Sequence, residues 1–360
     1  MDIRQHLEAA VTAGASDILV VSGMPVVYRC GTEIEPTNDA GILPESANLA
    51  VRTLYELAGR PIDRLEQTGD DDFPLSIAGL SRFRVSAYRQ RGSLAAVVRV
   101  VKFDIPTPES IGIPPEVMAL SEKFHGLALI TGPSGSGKST TLACIVDRIN
   151  STRRAHIITL EDPMEYLHRD KLSVISQREI GSDTKSYVAA MRACLRQTPD
   201  VILLGEMRDY ETICSAMTAA ETGHLVLSTL HTVGAANTID RIIDVFPANQ
   251  QQQIRIQLSQ ILQTVVSQRI LPTVDGDVVP AFEIMHLNSA VRNLIREAKT
   301  HQIDSVIQSS AGEGMLAMDS SICELYKAGR VSYETAMKFA MNPEQLEKRI
   351  LAAEQRCKQK

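Results

Sequence analysis

Residues 132–139 read GPSGSGKS, a glycine-rich run with the spacing G-x-x-x-x-G-K-[ST]. Gly132, Gly135 and Gly137 leave the backbone free to curl, so that successive N–H groups can surround a phosphate. A helix opening at the end of the run adds its dipole and its unpaired amides. Pro133, Ser134, Ser136 and Thr140 complete the loop and its exit. Lys138 is placed to reach β- and γ-phosphates, and the Ser139 hydroxyl to hold Mg²⁺. These residue types in this order predict binding of a nucleoside triphosphate with Mg²⁺.

Hydrolysis needs acids as well. The run DVILLGEMRD (200–209) ends an apolar stretch in Glu206, with Gly205 where many phosphate-loop ATPases carry a first acid. A second apolar stretch, HIITLEDPMEY (156–166), supplies Glu161 and Asp162. Carboxyl ends of parallel strands converge on a nucleotide crevice. The expectation is therefore Glu206 in the metal shell, partly through water, and Glu161 polarising the attacking water, with an exchange of the two roles left open. A further run, HLVLSTLHT (224–232), is bracketed by His224 and His231. Strand polarity puts His231 at the nucleotide end, where it can sense a γ-phosphate; a purely structural histidine remains the alternative.

The elements that must carry these groups follow from the rhythm of the chain. LALIT (127–131), HIITLE (156–161), VILLGE (201–206) and LVLSTL (225–230) are short, apolar and rich in β-branched residues, with helix-like stretches at 139–149, 187–195, 211–220 and 236–243. Strands apolar on both faces, alternating with helices, predict an α/β fold with a parallel sheet covered by helices. From about residue 250 the pattern reads as almost wholly helical, the four glutamines 250–253 forming an exposed first turn after Pro247.

Upstream lies a different region. KFDIPTPESIGIPPEV (102–117) holds Pro106, Pro108, Pro114 and Pro115 and reads as a semi-extended linker over 105–117. Residues 1–104 read as an α+β domain: a helix at 3–11, a strand at 18–21, a helix at 48–57 and a hairpin of strands 81–88 and 94–101. Phe83, Val85 and Ala87 alternate with Arg82, Arg84 and Ser86, as on a strand with one wet face. Arg82, Arg84 and Arg99 are thus either a solvated face or groups that reach phosphates of a neighbouring subunit. The ATPase domain is expected over 118–345 and a C-terminal tail over 346–360, the stretch after Pro343 reading as a solvated terminal helix.

Composition bounds the class. The 360 residues carry 37 basic and 43 acidic side chains, a net charge of −6, with 4% aromatics. An acidic balance with few aromatics and no basic stripe speaks against a nucleic-acid translocase. No apolar run approaches a membrane span, and the charged start MDIRQHLEAAVTAG lacks a signal-peptide core, so a cytoplasmic location is expected. The six cysteines have no zinc-ribbon spacing and read as inert thiols.

The order GPSGSGKST, LEDPMEY, DVILLGEMRD, TGHLVLSTLHT resembles the Walker A, Asp, Walker B and His boxes of the secretion ATPases of type II secretion and type IV pili. The resemblance extends from GASDILVVSG (14–23) through RFRV (82–85) to AVRNLIRE (290–297). Within that superfamily the chain is similar to the pilus-retraction branch: it is short, it lacks a tetracysteine insertion, and AVRNLIRE departs from AIRNLIRE only at Val291. Leu19 and Thr198 stand where the family usually has a histidine and an acid. The resemblance implies a PAS-like N-terminal domain and a RecA-like C-terminal domain, assembled as a homo-hexamer. It implies ATP as the nucleotide, phosphate and Mg²⁺ binding by Lys138 and Ser139, catalytic carboxylates at Glu161 and Glu206, and a His box containing His231 and His224. Arg82, Arg84 and Arg99 match arginines some of which reach a neighbour's nucleotide. The implied work is pilus retraction and twitching motility, cytoplasmic and peripheral at the inner membrane, on an inner-membrane platform protein. The runner-up is an accessory motor of the same branch or a related type II/IV secretion ATPase.

Overall fold

The computed structural model describes residues 2–30, 33–37, 40–101 and 105–358, the side chains of 353–358 apart. The start of the proline-rich segment, 102–104, and the Cys357 side chain therefore lie outside the described residues. The chain divides into two compact units, Met1–Asp104 with Met164–Leu167, and Ile105–Pro163 with His168–Lys360.

In the first unit the elements are α1 (Ile3–Thr12), β1 (Asp17–Val20), β2 (Val27–Cys30), β3 (Glu33–Pro36), α2 (Pro44–Leu57), α3 (Asp63–Thr68), β4 (Asp70–Ile77), β5 (Ser81–Gln90) and β6 (Ser93–Val101). The strands pair antiparallel in the order β3-β2-β1-β6-β5-β4. Strict alternation on β5 buries Phe83, Val85 and Ala87 against Leu7 of α1 and Val51 and Leu54 of α2. The β5–β6 hairpin closes through Arg91 and Gly92, both at positive φ (46° and 79°), a two-residue turn whose twist suits antiparallel strands. The α+β expectation for this region is met. Strands β2, β3 and β4 are additions, short or interrupted by Pro74 and a run of aspartates, which hides them in the sequence.

The second unit contains α4 (Pro115–Met118), β7 (Gly126–Thr131), α5 (Lys138–Thr152), β8 (His156–Glu161), β9 (Val174–Glu179), α6 (Tyr187–Cys194), β10 (Val201–Leu204), α7 (Tyr210–Glu221), β11 (Leu225–Leu230), α8 (Ala235–Asp244), α9 (Ala248–Ile261), β12 (Leu262–Pro272), β13 (Val278–His286), α10 (Ser289–Arg296), α11 (Ile303–Ser309), α12 (Met318–Lys327), α13 (Tyr333–Phe339) and α14 (Pro343–Lys358). Its sheet runs β13-β12-β7-β11-β10-β8-β9, parallel throughout except for β13 at one edge. Every residue of β7, β10 and β11 is buried. Leu127 and Leu129 face the core under α7 and α9, whereas Ala128 and Ile130 face the core under α4 and α5. A sheet covered on both faces needs such continuous apolar runs, which is why the four central strands were readable.

Three expectations are corrected. The chain beyond residue 250 is not almost wholly helical: β12 and β13 form the sheet's far side. Buried Thr264, Ser267, Gln268 and Glu283 break the apolar pattern there, because each bonds a neighbouring segment: Thr264 lies against His286 of β13, Gln268 against Thr141 of α5, and Ser267 and Glu283 accept the Gly234 and Ala235 amides at the start of α8. The segment 105–117 is not a semi-extended linker: it contains a 3-10 turn at Glu109–Ile111 and the start of α4, and it packs on the second unit. Ile113 and Val117 are buried in the core beside α5, and the Cys144 thiol donates to the Pro106 carbonyl at 3.3 Å. The end of the chain is a helix, as its sequence predicts, but not a solvated one, since Leu346 and Ile350 of α14 are buried against Leu271, Ile322 and Val279. Two apolar residues four apart in a charged helix are enough to dock one face.

Burial pushes the Cys144 and Cys194 thiols up to about 11, in keeping with inert cysteines. The AVRNLIRE stretch forms α10 with Val291 and Ile295 buried, the face its spacing predicts.

Candidate functional site

The glycine-rich loop leaves β7 and enters α5 at Lys138. Gly132, Gly135 and Gly137 have φ of 142°, 77° and 83°. At two of them a side chain has no room. A Cβ on Gly132 would meet the backbone carbonyl oxygen of Gln268, and one on Gly137 would lie 2.9 Å from Gln268 Nε2. Gln268 is buried on β12, and its Oε1 accepts a hydrogen bond from Thr141 Oγ1 at 2.7 Å. Strand β12 is therefore the wall against which the loop is shaped. The sequence hides Gln268, because the pattern beyond residue 250 reads as helix; the available signal is the polar triplet Ser267, Gln268 and Arg269 between the apolar pairs Val265, Val266 and Ile270, Leu271.

The loop presents donors. Lys138, 9% exposed, donates from Nζ to the carbonyls of Gly132 and Pro133 at 2.9 Å each. The Ser136 hydroxyl is buried and makes no hydrogen bond among the described residues. The opening turn of α5 leaves backbone amides without intrahelical acceptors. Ser139 and Thr140 lie on that turn, both partly accessible, while Pro133, Ser134 and Gly135 are exposed at the loop's tip. Such a cradle of amides, hydroxyls and one ammonium can take a polyphosphate.

Two carboxylates end adjacent strands. Strand β8 closes on Glu161, β10 on Leu204, and the Gly205 amide donates to the Leu160 carbonyl at 2.8 Å, so that Glu206 emerges beside Glu161. Glu206 is held from two sides, by His231 Nε2 at 2.9 Å from Oε1 and by Arg208 Nε at 2.8 Å from Oε2. The hydrogen bond and charge of Glu206 raise Arg208 above its usual range. The backbone is pinned at the same point, with Thr229 Oγ1 donating to the Gly205 carbonyl at 2.6 Å. Glu161 Oε1 accepts from Thr159 Oγ1 at 2.6 Å. Glu206 and His231, separated by 25 positions, are thus brought into one hydrogen-bonded pair, at the end of the sheet where the loop between β7 and α5 also lies.

His224 is not part of this group. It precedes β11, whose six residues put it roughly 20 Å from His231 along the strand. Its Nδ1 lies 3.0 Å from the Ala219 carbonyl and 3.1 Å from Thr222 Oγ1, which fixes the turn out of α7. A strand's two ends lie on opposite sides of the sheet, so bracketing histidines cannot both serve one site.

Arg82, Arg84 and Arg99 come together on the first unit, on the sheet face opposite its core. Arg84 on β5 pairs directly with Arg99 on β6. Arg99 Nε donates to Asp17 Oδ1 at 2.8 Å and remains 68% exposed. Among the described residues no group of three or more histidines, cysteines or acids could hold a metal by itself. Mg²⁺ bound to nucleotide asks for less, one or two side chains besides phosphate oxygens, and Ser139 with Glu206 fits that donor set.

Known proteins align with the chain over both units. The sequence profile of the family "Type II/IV secretion system protein" matches residues 82–314. The type IV pilus retraction ATPase PilT of Pseudomonas aeruginosa is 42% identical over 96% of this chain and 99% of its own length. A twitching motility protein of Neisseria gonorrhoeae is 47% identical over 78% of this chain and 75% of its own. The crystal structure of the pilus retraction motor PilT with bound ADP superposes with a TM-score of 0.90 at 44% identity, covering 97% of this chain and 99% of that one. With the family profile spanning the glycine loop, both acids and the β11 strand, and relatives matching nearly end to end, this chain belongs to the type II/IV secretion system protein family, whose retraction ATPases it resembles along its whole length.

Proposed function

We propose that this protein is an ATP-hydrolysing motor that powers retraction of a type IV pilus. The observation that carries the reading is the Glu206–His231 pair beside Glu161, at the loop end of a sheet whose chain aligns end to end with a retraction motor solved with ADP. In this reading residues 132–140 wrap the phosphates, Lys138 neutralises the β- and γ-phosphoryl oxygens, and Ser139 and Glu206 hold Mg²⁺. Mg²⁺, when bound there, would supply charge neutralisation on the transferring phosphoryl group. Glu161 directs the attacking water, and His231, through Glu206, senses whether the γ-phosphate is present. Arg82, Arg84 and Arg99 act from the first unit of the adjacent protomer in a homo-hexameric ring, as arginine fingers do. Rotation of the first unit against the second, about the junction that joins them, would supply the mechanical stroke. The ring would work in the cytoplasm, peripheral at the inner membrane, on a membrane platform protein, without nucleic acid.

The test pairs an assay with a phenotype. Purified protein should hydrolyse ATP with Mg²⁺, and cells lacking the gene should carry excess surface pili and fail to twitch. Bald cells would assign it to extension, and unchanged piliation with unchanged twitching to an accessory motor.

A further inference from the structure

Tyr187 opens α6 directly after its N-cap, Ser186, whose hydroxyl accepts from the Ala189 amide at 3.2 Å. Its phenol reaches back to the strand ends. A Cβ built on Gly205 would lie 3.0 Å from Tyr187 Oη, 3.2 Å from the Leu160 carbonyl oxygen and 3.3 Å from the Glu161 Cα. The hydroxyl therefore borders the space that a side chain at 205 would claim, together with the Leu160 carbonyl and the Glu161 backbone. Gly205 stands where phosphate-loop ATPases often have an acid, and the space so released is bordered by an O–H group instead.

Tyr187 is half-buried, and its hydroxyl makes no hydrogen bond to any described residue. Burial, then the charge of Asp162, raise its pKa, and Glu206 and Glu161 add to this while Arg208 opposes. A phenol so placed stays protonated and is a donor at every pH at which the protein works. Its neighbours are acids that accept, and the water to be activated between Glu161 and Glu206 has a lone pair to direct as well as a proton to lose.

We propose that Tyr187 is a positioning residue of the hydrolytic site, its Oη–H donating to the attacking water held between Glu161 and Glu206. The inference rests on the hydrolytic reading above. The phenol keeps its proton throughout; the water's proton passes to a carboxylate, its oxygen bonds to the γ-phosphorus, and the bond from that phosphorus to the β,γ-bridging oxygen breaks, with ADP leaving. The ring packs against the core formed by α6 and α7, so the two roles of the residue, filling and donating, separate cleanly in Tyr187→Phe.

The experiment is steady-state ATP hydrolysis by the full chain, wild type against Tyr187→Phe, with nucleotide affinity and the unfolding midpoint measured alongside. Loss of one donor to a charged site is expected to lower kcat about tenfold, with KM for ATP, ADP affinity and the unfolding midpoint unchanged. Gly205→Ala should lower kcat in the wild type and lower it less in the Tyr187→Phe background, because the added methyl then meets no hydroxyl. Wild-type kcat in Tyr187→Phe would overturn the inference. So would a loss that appears in KM alone, or one that follows a fall in the unfolding midpoint. A wild-type protein without turnover would instead sink the hydrolytic reading itself, which distinguishes the two failures.

Discussion

The parallel strands of the second unit have two ends, and the contrast between them explains what each polar residue is for. At the amino ends the polar groups are tied into the fold. His224 is fixed by Ala219 and Thr222; His156 Nδ1 lies 2.9 Å from the Gln197 carbonyl and Nε2 3.0 Å from Ser176 Oγ; Asp200 Oδ2 accepts the His156 amide at 2.7 Å. At the carboxyl ends the groups meet one another instead: Glu206 bridges His231 and Arg208, Glu161 stands alongside, and the Tyr187 hydroxyl borders the space beside Gly205. Polar residues that cap turns stabilise; polar residues that gather around an accessible space can act on something placed there.

The largest expected effect tests that contrast directly. Glu206→Gln keeps the size of the side chain and a hydrogen-bonding partner for His231 but removes the charge. Turnover at saturating ATP should fall by about 10²–10⁴-fold while nucleotide binding persists, as measured by steady-state hydrolysis and ADP titration. Near-normal turnover would mean that the carboxyl ends, too, are only structural.

Buried charge marks the same end. Glu283 of β13 accepts the Ala235 amide at 2.7 Å, and Ser267 of β12 accepts the Gly234 amide at 3.0 Å, so two strands brace the loop that follows His231. Burial, opposed by that amide hydrogen bond, pushes the Glu283 carboxyl up to about 7 from 4.5. Between those values the folded chain holds a proton that the unfolded chain has lost, so stability falls as pH rises through the window and stays low above it. Glu283→Gln should remove this dependence. Urea unfolding at pH 8 should show the variant more stable by about 1–3 kcal/mol, and at pH 4.5 the difference should vanish.

The two histidines that flank β11 offer a smaller, paired comparison. His231→Ala removes one partner of Glu206 and should lower turnover about tenfold with little change in stability. His224→Ala should do the reverse, leaving turnover within about twofold and lowering the unfolding free energy by about 1 kcal/mol. Equal losses of turnover would break the division between the ends.

What could be read from the sequence follows the same geometry. The glycine loop, Glu161 and Glu206 are legible because each sits within a contiguous motif whose strand and helix flank it. Gln268, Glu283 and Tyr187 were not singled out, since each reaches its neighbours from another element: Gln268 lies 127 positions from its partner Thr141, and Glu283 lies 48 from Ala235. Their polarity also disguised the strands that carry them, because a buried glutamine or glutamate interrupts the apolar pattern by which a buried strand is recognised. The docked α14 was hidden in a similar way, by charged residues around Leu346 and Ile350.

The amino ends also store strain that the chemistry does not use. Thr198, exposed in the turn before β10, has φ of 49°, a left-handed conformation that a β-branched residue adopts at a cost. Its hydroxyl makes no hydrogen bond among the described residues, so replacing it removes no partner. Asparagine tolerates this region far better, and Thr198→Asn should raise stability by about 0.5–1 kcal/mol, read from denaturant midpoints at unchanged slope. Turnover should not move, because the turn lies at the opposite end of β10 from Glu206. Strain at a site of action would behave otherwise: relieving it would alter the rate. A gain in stability with no change in hydrolysis would therefore show that this turn serves the fold alone, and a change in hydrolysis would tie the amino ends to the site after all.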